Sequence, residues 1–392
     1  MTSQRFRWTL VLAALVALAG VTHAQPDFSG YYENTTQIDQ PEESDETLVS
    51  ASKLRLDVQS GGEEGELGFR GNVNFLYYHS DLAINAEPYL PPDIVRVMRQ
   101  FGLEPVVNLD RSRIYLDNAF LTWNTHGFTL RAGKQQLSWG PGYSINPTDL
   151  FHKKSLIDPT YEKEGVGAIR LDYRWGIGGQ IAAIMAPGQT LDASGYALRL
   201  ATYISAIGYD VAVTAHSITD STSLDPTFLL PRTQRREALG LEFTGSLLGL
   251  GVWMEGNYNW MEDEDDFARV VGGFDYTLEN GLYVLAEAFY NGRAEEQTPY
   301  PISDWMANLL YGEPVGPGWL MLGTRYDVTM LTTASLYAFL SPDETYMINP
   351  RLTISIAQNA DATLFAGYTL GEEDGAFPGG LLSGFARLSI YF

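Results

Sequence analysis

The sequence predicts an all-β chain: a transmembrane, antiparallel, up-and-down β-barrel of about eighteen strands, or sixteen, with short turns at one end and long loops at the other. Three observations carry the prediction. Read back from Phe392, every second residue is apolar or small (Ile390, Leu388, Ala386, Gly384, Leu382), while Tyr391, Ser389 and Arg387 fill the opposite set. That period of two belongs to a strand with an apolar medium on one face and water on the other. Beyond residue 24, no run approaches the roughly 18 consecutive apolar residues that a membrane helix needs. The chain also carries 23 tyrosines and 39 glycines, as expected of aromatic girdles and crowded barrel walls.

Taken in order, the chain opens on Arg5 and Arg7, an apolar run over 8–21, and the small-residue site Thr22-His23-Ala24. This is the pattern of a cleaved secretory signal, so 1–24 is assigned to the signal and 25–392 to one barrel domain. Strands follow near 27–37, 51–59, 66–80, 110–124, 127–137, 164–174, 177–185, 195–205, 207–217, 235–246, 248–259, 267–277, 281–291, 318–328, 330–340, 346–357 and 361–371, before the strand ending at Phe392. Tight turns are expected at Asn124-Thr125-His126-Gly127, Trp175-Gly176, Leu248-Gly249, Glu279-Asn280-Gly281 and Asn359-Ala360-Asp361, where Asn-Gly and related pairs accept positive φ. The last strand, closed by an aromatic residue, resembles the C-terminal signature of outer-membrane β-barrels, which their assembly machinery reads through the residue matching Phe392. That resemblance implies an outer-membrane location, periplasmic short turns and extracellular long loops.

Faces follow from the alternation. In 66–78, Leu67, Phe69, Val73, Phe75 and Tyr77 face lipid against Arg70, Asn72 and Asn74. In 164–175, Ile169, Leu171, Tyr173 and Trp175 oppose Arg170, Asp172 and Arg174. In 346–357, Ile348, Leu352, Ile354 and Ile356 oppose Asn349, Arg351, Thr353 and Ser355. A charge facing lipid at mid-depth costs roughly 2–4 kcal/mol, so charges sort inward. The rule turns Arg113, Asp117, Arg131, Arg199, Asp210, Glu242, Glu255, Arg269, Asp275, Arg325, Asp327 and Arg387 to the lumen. Lys134 falls on the lipid face unless a bulge near Gly133 shifts the register.

Composition excludes other classes. Cysteine is absent, which removes disulfides and thiolate chemistry. The net charge of −23 becomes −25 when Arg5 and Arg7 leave with the signal, and such acidity repels nucleic acid. The mature histidines, His79, His126, His152 and His216, match no nucleophile–base motif, so neither enzymatic activity nor a cofactor is expected. No room remains beside the barrel for a transporter plug domain.

Ten arginines assigned to the lumen, Arg70, Arg113, Arg131, Arg170, Arg174, Arg199, Arg269, Arg325, Arg351 and Arg387, allow two readings. Each pairs with an acid such as Asp117, Asp172, Asp275 or Asp327 and satisfies the wall, or it lines a constriction that favours anions and hydroxylated solutes. The acidic runs Glu42-Glu43-Ser44-Asp45-Glu46, Glu262-Asp263-Glu264-Asp265-Asp266 and Glu372-Glu373-Asp374 read as a solvated outer rim. A sharper option is weak divalent bridging from Glu262, Asp263, Asp265 and Asp266 to lipopolysaccharide phosphates. Helices are expected over 94–101, stopped by Gly102, and over 304–311, capped by Ser303 and stopped by Gly312. Their apolar Val97, Phe101, Trp305, Met306, Leu309 and Leu310 need partners, either over the barrel mouth or as a lid folded into the lumen.

The most distinctive stretch is Arg131-Ala132-Gly133-Lys134-Gln135-Gln136-Leu137-Ser138-Trp139-Gly140-Pro141-Gly142, followed by Asn146-Pro147-Thr148-Asp149-Leu150-Phe151. Its glycines and proline make a tight turn, and Asn146 to Asp149 offers an Asx-type cap. It reads as a rigid loop wedged into the lumen by Trp139, with Asn146 and Asp149 as pore-loop residues. The stretch resembles the "GRQ…WG…NPxDLF" segment of outer-membrane porin-like proteins related to the alginate-export barrels, with Lys134 where those carry Arg. Phe28-Ser29-Gly30-Tyr31-Tyr32-Glu33-Asn34 is similar to their first strand. The resemblance implies a monomeric, porin-like channel for selective passage of a polar solute, expected to be anionic, or of a polysaccharide. The alternative is a non-conducting barrel that binds surface polysaccharide or lipid. Expected partners are outer-membrane lipid, lipopolysaccharide and the barrel-assembly machinery.

Overall fold

Alternating segments separated by turn residues pair with their sequence neighbours, and in the computed structural model that pairing runs round a full circle. The structure describes residues 25–41, 46–80, 82–100, 102–152, 164–224, 231–294 and 298–392. The expected signal, Glu42 to Asp45, Phe101, and the side chains of Leu309 and Leu310 lie outside the described residues. The strands are β1 (Asp27–Pro41), β2 (Thr47–Ser60), β3 (Leu67–Tyr78), β4 (Ser112–Tyr115 with Ala119–Thr125), β5 (Phe128–Gln135) and β6 (Val166–Trp175). Then come β7 (Gly179–Ala186), β8 (Gly195–Ile204), β9 (Tyr209–Leu224), β10 (Pro231–Leu247), β11 (Leu250–Met261) and β12 (Phe267–Thr277). The circle is completed by β13 (Tyr283–Asn291), β14 (Gly318–Thr329), β15 (Thr332–Leu340), β16 (Tyr346–Ala357), β17 (Ala360–Leu370) and β18 (Leu381–Tyr391). Because β4 comes in two halves, the nineteen paired segments of the described residues make eighteen strands. Each strand is antiparallel to the next, and β18 closes on β1, with Thr35 opposite Arg387.

Short turns gather at one end. Two have the double positive φ that matches strand twist: His126 and Gly127 at 42° and 85°, and Leu248 and Gly249 at 54° and 87°. The outer wall is apolar and uncovered, as at Ile169, Leu171, Leu198, Leu200, Leu239 and Leu241, as a lipid belt requires. Strands β1, β2, β9 and β10 extend further toward the long loops than apolar alternation indicates, because backbone pairing continues past the belt. The break in β4 is stabilised locally: Asn72 Oδ1 accepts the N–H groups of Asp117 at 3.0 Å and Asn118 at 3.2 Å.

The open reading of Lys134 is decided, and one expectation needs correction. No register shift occurs near Gly133, since Phe120 faces Gly133 and Ala119 faces Lys134 in unbroken sequence. Lys134 therefore stays on the outer face, where its Nζ meets Glu164 Oε1 at 2.6 Å. Ser303 does not cap its helix either. Helix α2 (Ile302–Tyr311) starts after Pro301, so Ser303 falls inside the first turn, while Gly312 at φ 65° does close the helix. Helix α1 (Pro92–Gln100) packs its Ile94, Val95 and Met98 against Tyr300, Trp305 and Val315, so the two helices roof the long-loop end.

Candidate functional site: the lumen and its inserted loop

Residues 136–152, between β5 and β6, fold into the barrel instead of over it. Leu137 and Trp139 pack on inward-facing Ala168, Ala182, Ile184 and Ala197. His216 lies against the rings of Trp139 and Phe151, at 5.4 and 6.1 Å, so it packs and does not face lipid. The tip then crosses to the far wall, where buried carboxylates receive it. Glu255 accepts Gly142 N at 3.2 Å, Asn146 Nδ2 at 3.1 Å and Thr148 N at 3.2 Å. Glu287 accepts Ser144 N at 2.7 Å and Trp253 Nε1 at 2.7 Å, as well as Tyr143 N. Thr148 Oγ1 donates to Glu242 at 3.2 Å, and the Tyr143 and Tyr337 hydroxyls meet at 2.6 Å.

Glycine is obligatory at the crossing. Gly140 has φ +92°, and a Cβ there would sit 2.1 Å from Glu255 Oε2. Asp149 accepts Ser138 Oγ and His152 N, both at 3.2 Å, which makes the expected Asx-type cap. Trp139, Asn146 and Asp149 are all buried within the inserted loop.

The insertion makes the lumen asymmetric. On the β12–β16 side, Val271, Leu285, Phe289, Trp319, Met321, Phe339 and Met347 form an apolar core inside the barrel, with Tyr143 and Ile145 of the loop packed on it. The loop needs an apolar seat, and the inward positions of these strands supply it. Between the loop, strands β9, β10 and β12 and the inner face of β16 to β18, a cavity of about 560 Å³ is bounded by Asn146, Asp149, Arg236, Arg269, Thr369 and Ser383 and roofed by Tyr89 and Trp305.

The predicted arginines divide among three settings. Arg70, Arg131, Arg170 and Arg174 come together on β3, β5 and β6: Arg131 stands directly opposite Arg170, and Arg70, Arg174 and Asp172 lie within its electrostatic reach. Asp172 takes Arg170 at 2.8 Å. On β14, β16 and β18, Arg351 and Arg387 lie over the Phe365 ring at 5.1 and 5.2 Å, Arg387 also meeting Glu33 at 3.8 Å, and Arg325 lies over Tyr283 at 5.4 Å. Arg199 and Arg269 are held in close ion pairs, with Glu242 at 2.7 Å and Glu313 at 2.6 Å, and Arg269 still borders the cavity. Arg113 stands at the long-loop rim over Tyr115 and near Glu164.

Solved structures share this architecture. Pseudomonas aeruginosa OccK9 (OpdG) aligns with a TM-score of 0.60 at 11% identity, covering 94% of this chain and 99% of that one. Acinetobacter baumannii OccAB1 gives 0.59 at 11% identity over 94% and 98%, and P. aeruginosa OccK8 (OprE) gives 0.57 at 11% over 94% and 98%. The chain has the fold of these barrels. No family model and no curated protein matches its sequence.

Several residues of the site escaped the sequence reading. Lys53 and Arg55 also face inward, Arg55 meeting Asp57 at 2.8 Å. Glu287 went unremarked, although Leu285, Glu287 and Phe289 alternate with Ala286 and Ala288 in a strand and so must share the inner face. Within the acidic run 262–266, Glu262 accepts Arg235 N, Asp266 accepts Met261 N and Glu264 pairs with Arg293. Among the described residues, no three metal-ligating side chains converge.

Proposed function

We propose that the chain is an outer-membrane channel that passes a polar solute through the half-lumen left open by the inserted loop, with anions favoured. The observation that carries this reading is the asymmetry: the loop is pinned to one wall by carboxylates, and the opposite wall presents clustered guanidinium groups. Such a wall lowers the electrostatic barrier to an anion and raises it for a cation. In this reading the signal is removed, the short turns lie in the periplasm, and the α1–α2 roof covers the outer mouth. The alginate-export resemblance of 131–151 extends the reading to acidic polysaccharide as a candidate solute.

Planar-bilayer recordings on the folded chain test the wall directly. Arg131→Ala, Arg170→Ala and Arg351→Ala should each move the reversal potential in a salt gradient toward the non-selective value. Unchanged selectivity in all three would remove the arginine wall from the account.

A further inference from the structure

The lipid-facing wall carries a polar island that a channel does not need. Ser52 on β2 stands opposite Asn34 on β1 and opposite Tyr77 on β3. Tyr77 is 48% exposed on the outer face, directly after the apolar series Phe69, Val73, Phe75. It therefore marks the aromatic girdle, where the hydrocarbon ends and the ester groups of the leaflet begin. At that level Ser52 Oγ lies 2.8 Å from His79 Nε2. His79 is exposed and is placed by its own N–H on Ser50 O at 2.8 Å and by the Tyr77 ring at 5.1 Å. Two further groups converge on the same oxygen: Asn34 Nδ2 donates to it at 3.1 Å, and the Tyr32 hydroxyl meets it at 2.9 Å.

A serine hydroxyl within hydrogen-bond reach of an imidazole nitrogen is the geometry of an activated nucleophile. We propose that Ser52 and His79 form a nucleophile–base pair that cleaves an acyl ester of a lipid lying against the barrel. With His79 protonated at Nδ1, Nε2 accepts the Ser52 proton as Oγ bonds to the ester carbonyl carbon. Negative charge develops on the carbonyl oxygen, and the Tyr32 hydroxyl, which leaves Ser52 Oγ as that oxygen bonds to carbon, is the donor beside it. The bond from carbon to the lipid alcohol oxygen then breaks, and Nε2 returns the proton to that oxygen. Water, deprotonated by the same nitrogen, attacks the acyl-serine and releases the fatty acid, restoring Ser52. The net reaction consumes one ester and one water and yields one acid and one alcohol. It needs no other reactant and does not depend on whether the lumen conducts.

The test uses the full mature chain folded in an ester-free maltoside detergent. An alkyl fluorophosphonate should attach covalently to Ser52, located by peptide mass spectrometry, and the same protein should release fatty acid from phosphatidylethanolamine in mixed micelles. Ser52→Ala should abolish both signals, and His79→Gln should slow labelling about 10²–10⁴-fold, while the heat-modifiable gel shift of the closed barrel is kept. Labelling that is absent from the folded chain, sits elsewhere, or is equally fast in His79→Gln overturns the proposal, as does fatty-acid release that survives Ser52→Ala.

Discussion

Arg131 and Arg170 face one another across β5 and β6 with side chains on the same face, an arrangement that costs stability because like charges directly opposite repel. A wall built only for stability would not keep it. Arg131→Gln should therefore raise thermal stability by about 0.2–1 kcal/mol while weakening anion preference, measured by unfolding and by reversal potential on the same preparation. Equal losses of both would mean that Arg131 serves packing. Phe365 makes a related point, since it is stacked on Phe385 at 4.4 Å and seats both Arg351 and Arg387. Phe365→Leu should shift selectivity as much as losing either arginine, and the shift should be smaller once Arg351 is already alanine. Additive shifts would separate the ring from the charges.

At the scale of elements, the inserted loop depends on carboxylates far away in the chain. Glu255 lies 113 residues from Gly142, whose N–H it accepts. Glu255→Ala leaves those donors facing an emptied pocket and should destabilise the barrel by roughly 2–4 kcal/mol. Conductance should rise as the loop loosens, and Glu255→Gln should fall between. Single-channel recordings with urea unfolding check both effects; an unaltered conductance would show that other contacts suffice. The loops outside the barrel have their own fastener. Asp343 accepts Thr345 Oγ1 at 2.6 Å, Tyr300 Oη–H at 2.8 Å and Ala376 N at 2.7 Å. Burial alone would raise its carboxyl, but these hydrogen bonds outweigh it and hold the pKa below the ordinary 3.8. A carboxyl lowered in the folded state contributes stability that is complete above its unfolded value and is lost as pH falls through the folded one. The loops around 298–317 should thus keep their protection against proteolysis down to about pH 4 and lose it only in stronger acid, whereas Asp343→Asn should lose it at neutral pH.

For the whole molecule, the barrel was legible because a wall between lipid and water repeats one rule along every strand. The alternation of Ile169, Leu171 and Tyr173 with Arg170, Asp172 and Arg174 names both faces without any partner being known. Positive-φ pairs such as His126-Gly127 punctuate it. Trp139 as a wedge was legible too, since a large apolar ring in a Gly-Pro-Gly loop has to be buried somewhere. The seat it uses was not, because Ala182, Ile184 and Ala197 become neighbours of that loop only once the cylinder closes. The same limit applies to Arg199 and Arg269: alternation places them inward, yet only closure brings Glu242 and Glu313 to them. Lys134 shows the reverse case, a charge on the outer face that is tolerated because Glu164 neutralises it there.

The central claim is that water fills the half-lumen beside the inserted loop and that guanidinium groups govern what enters it. Reversal potential of the unmodified chain across a potassium chloride gradient in a planar bilayer addresses it most directly. A steady conductance with chloride favoured over potassium is the expected result. A folded barrel that carries no current, or one that favours potassium, contradicts it.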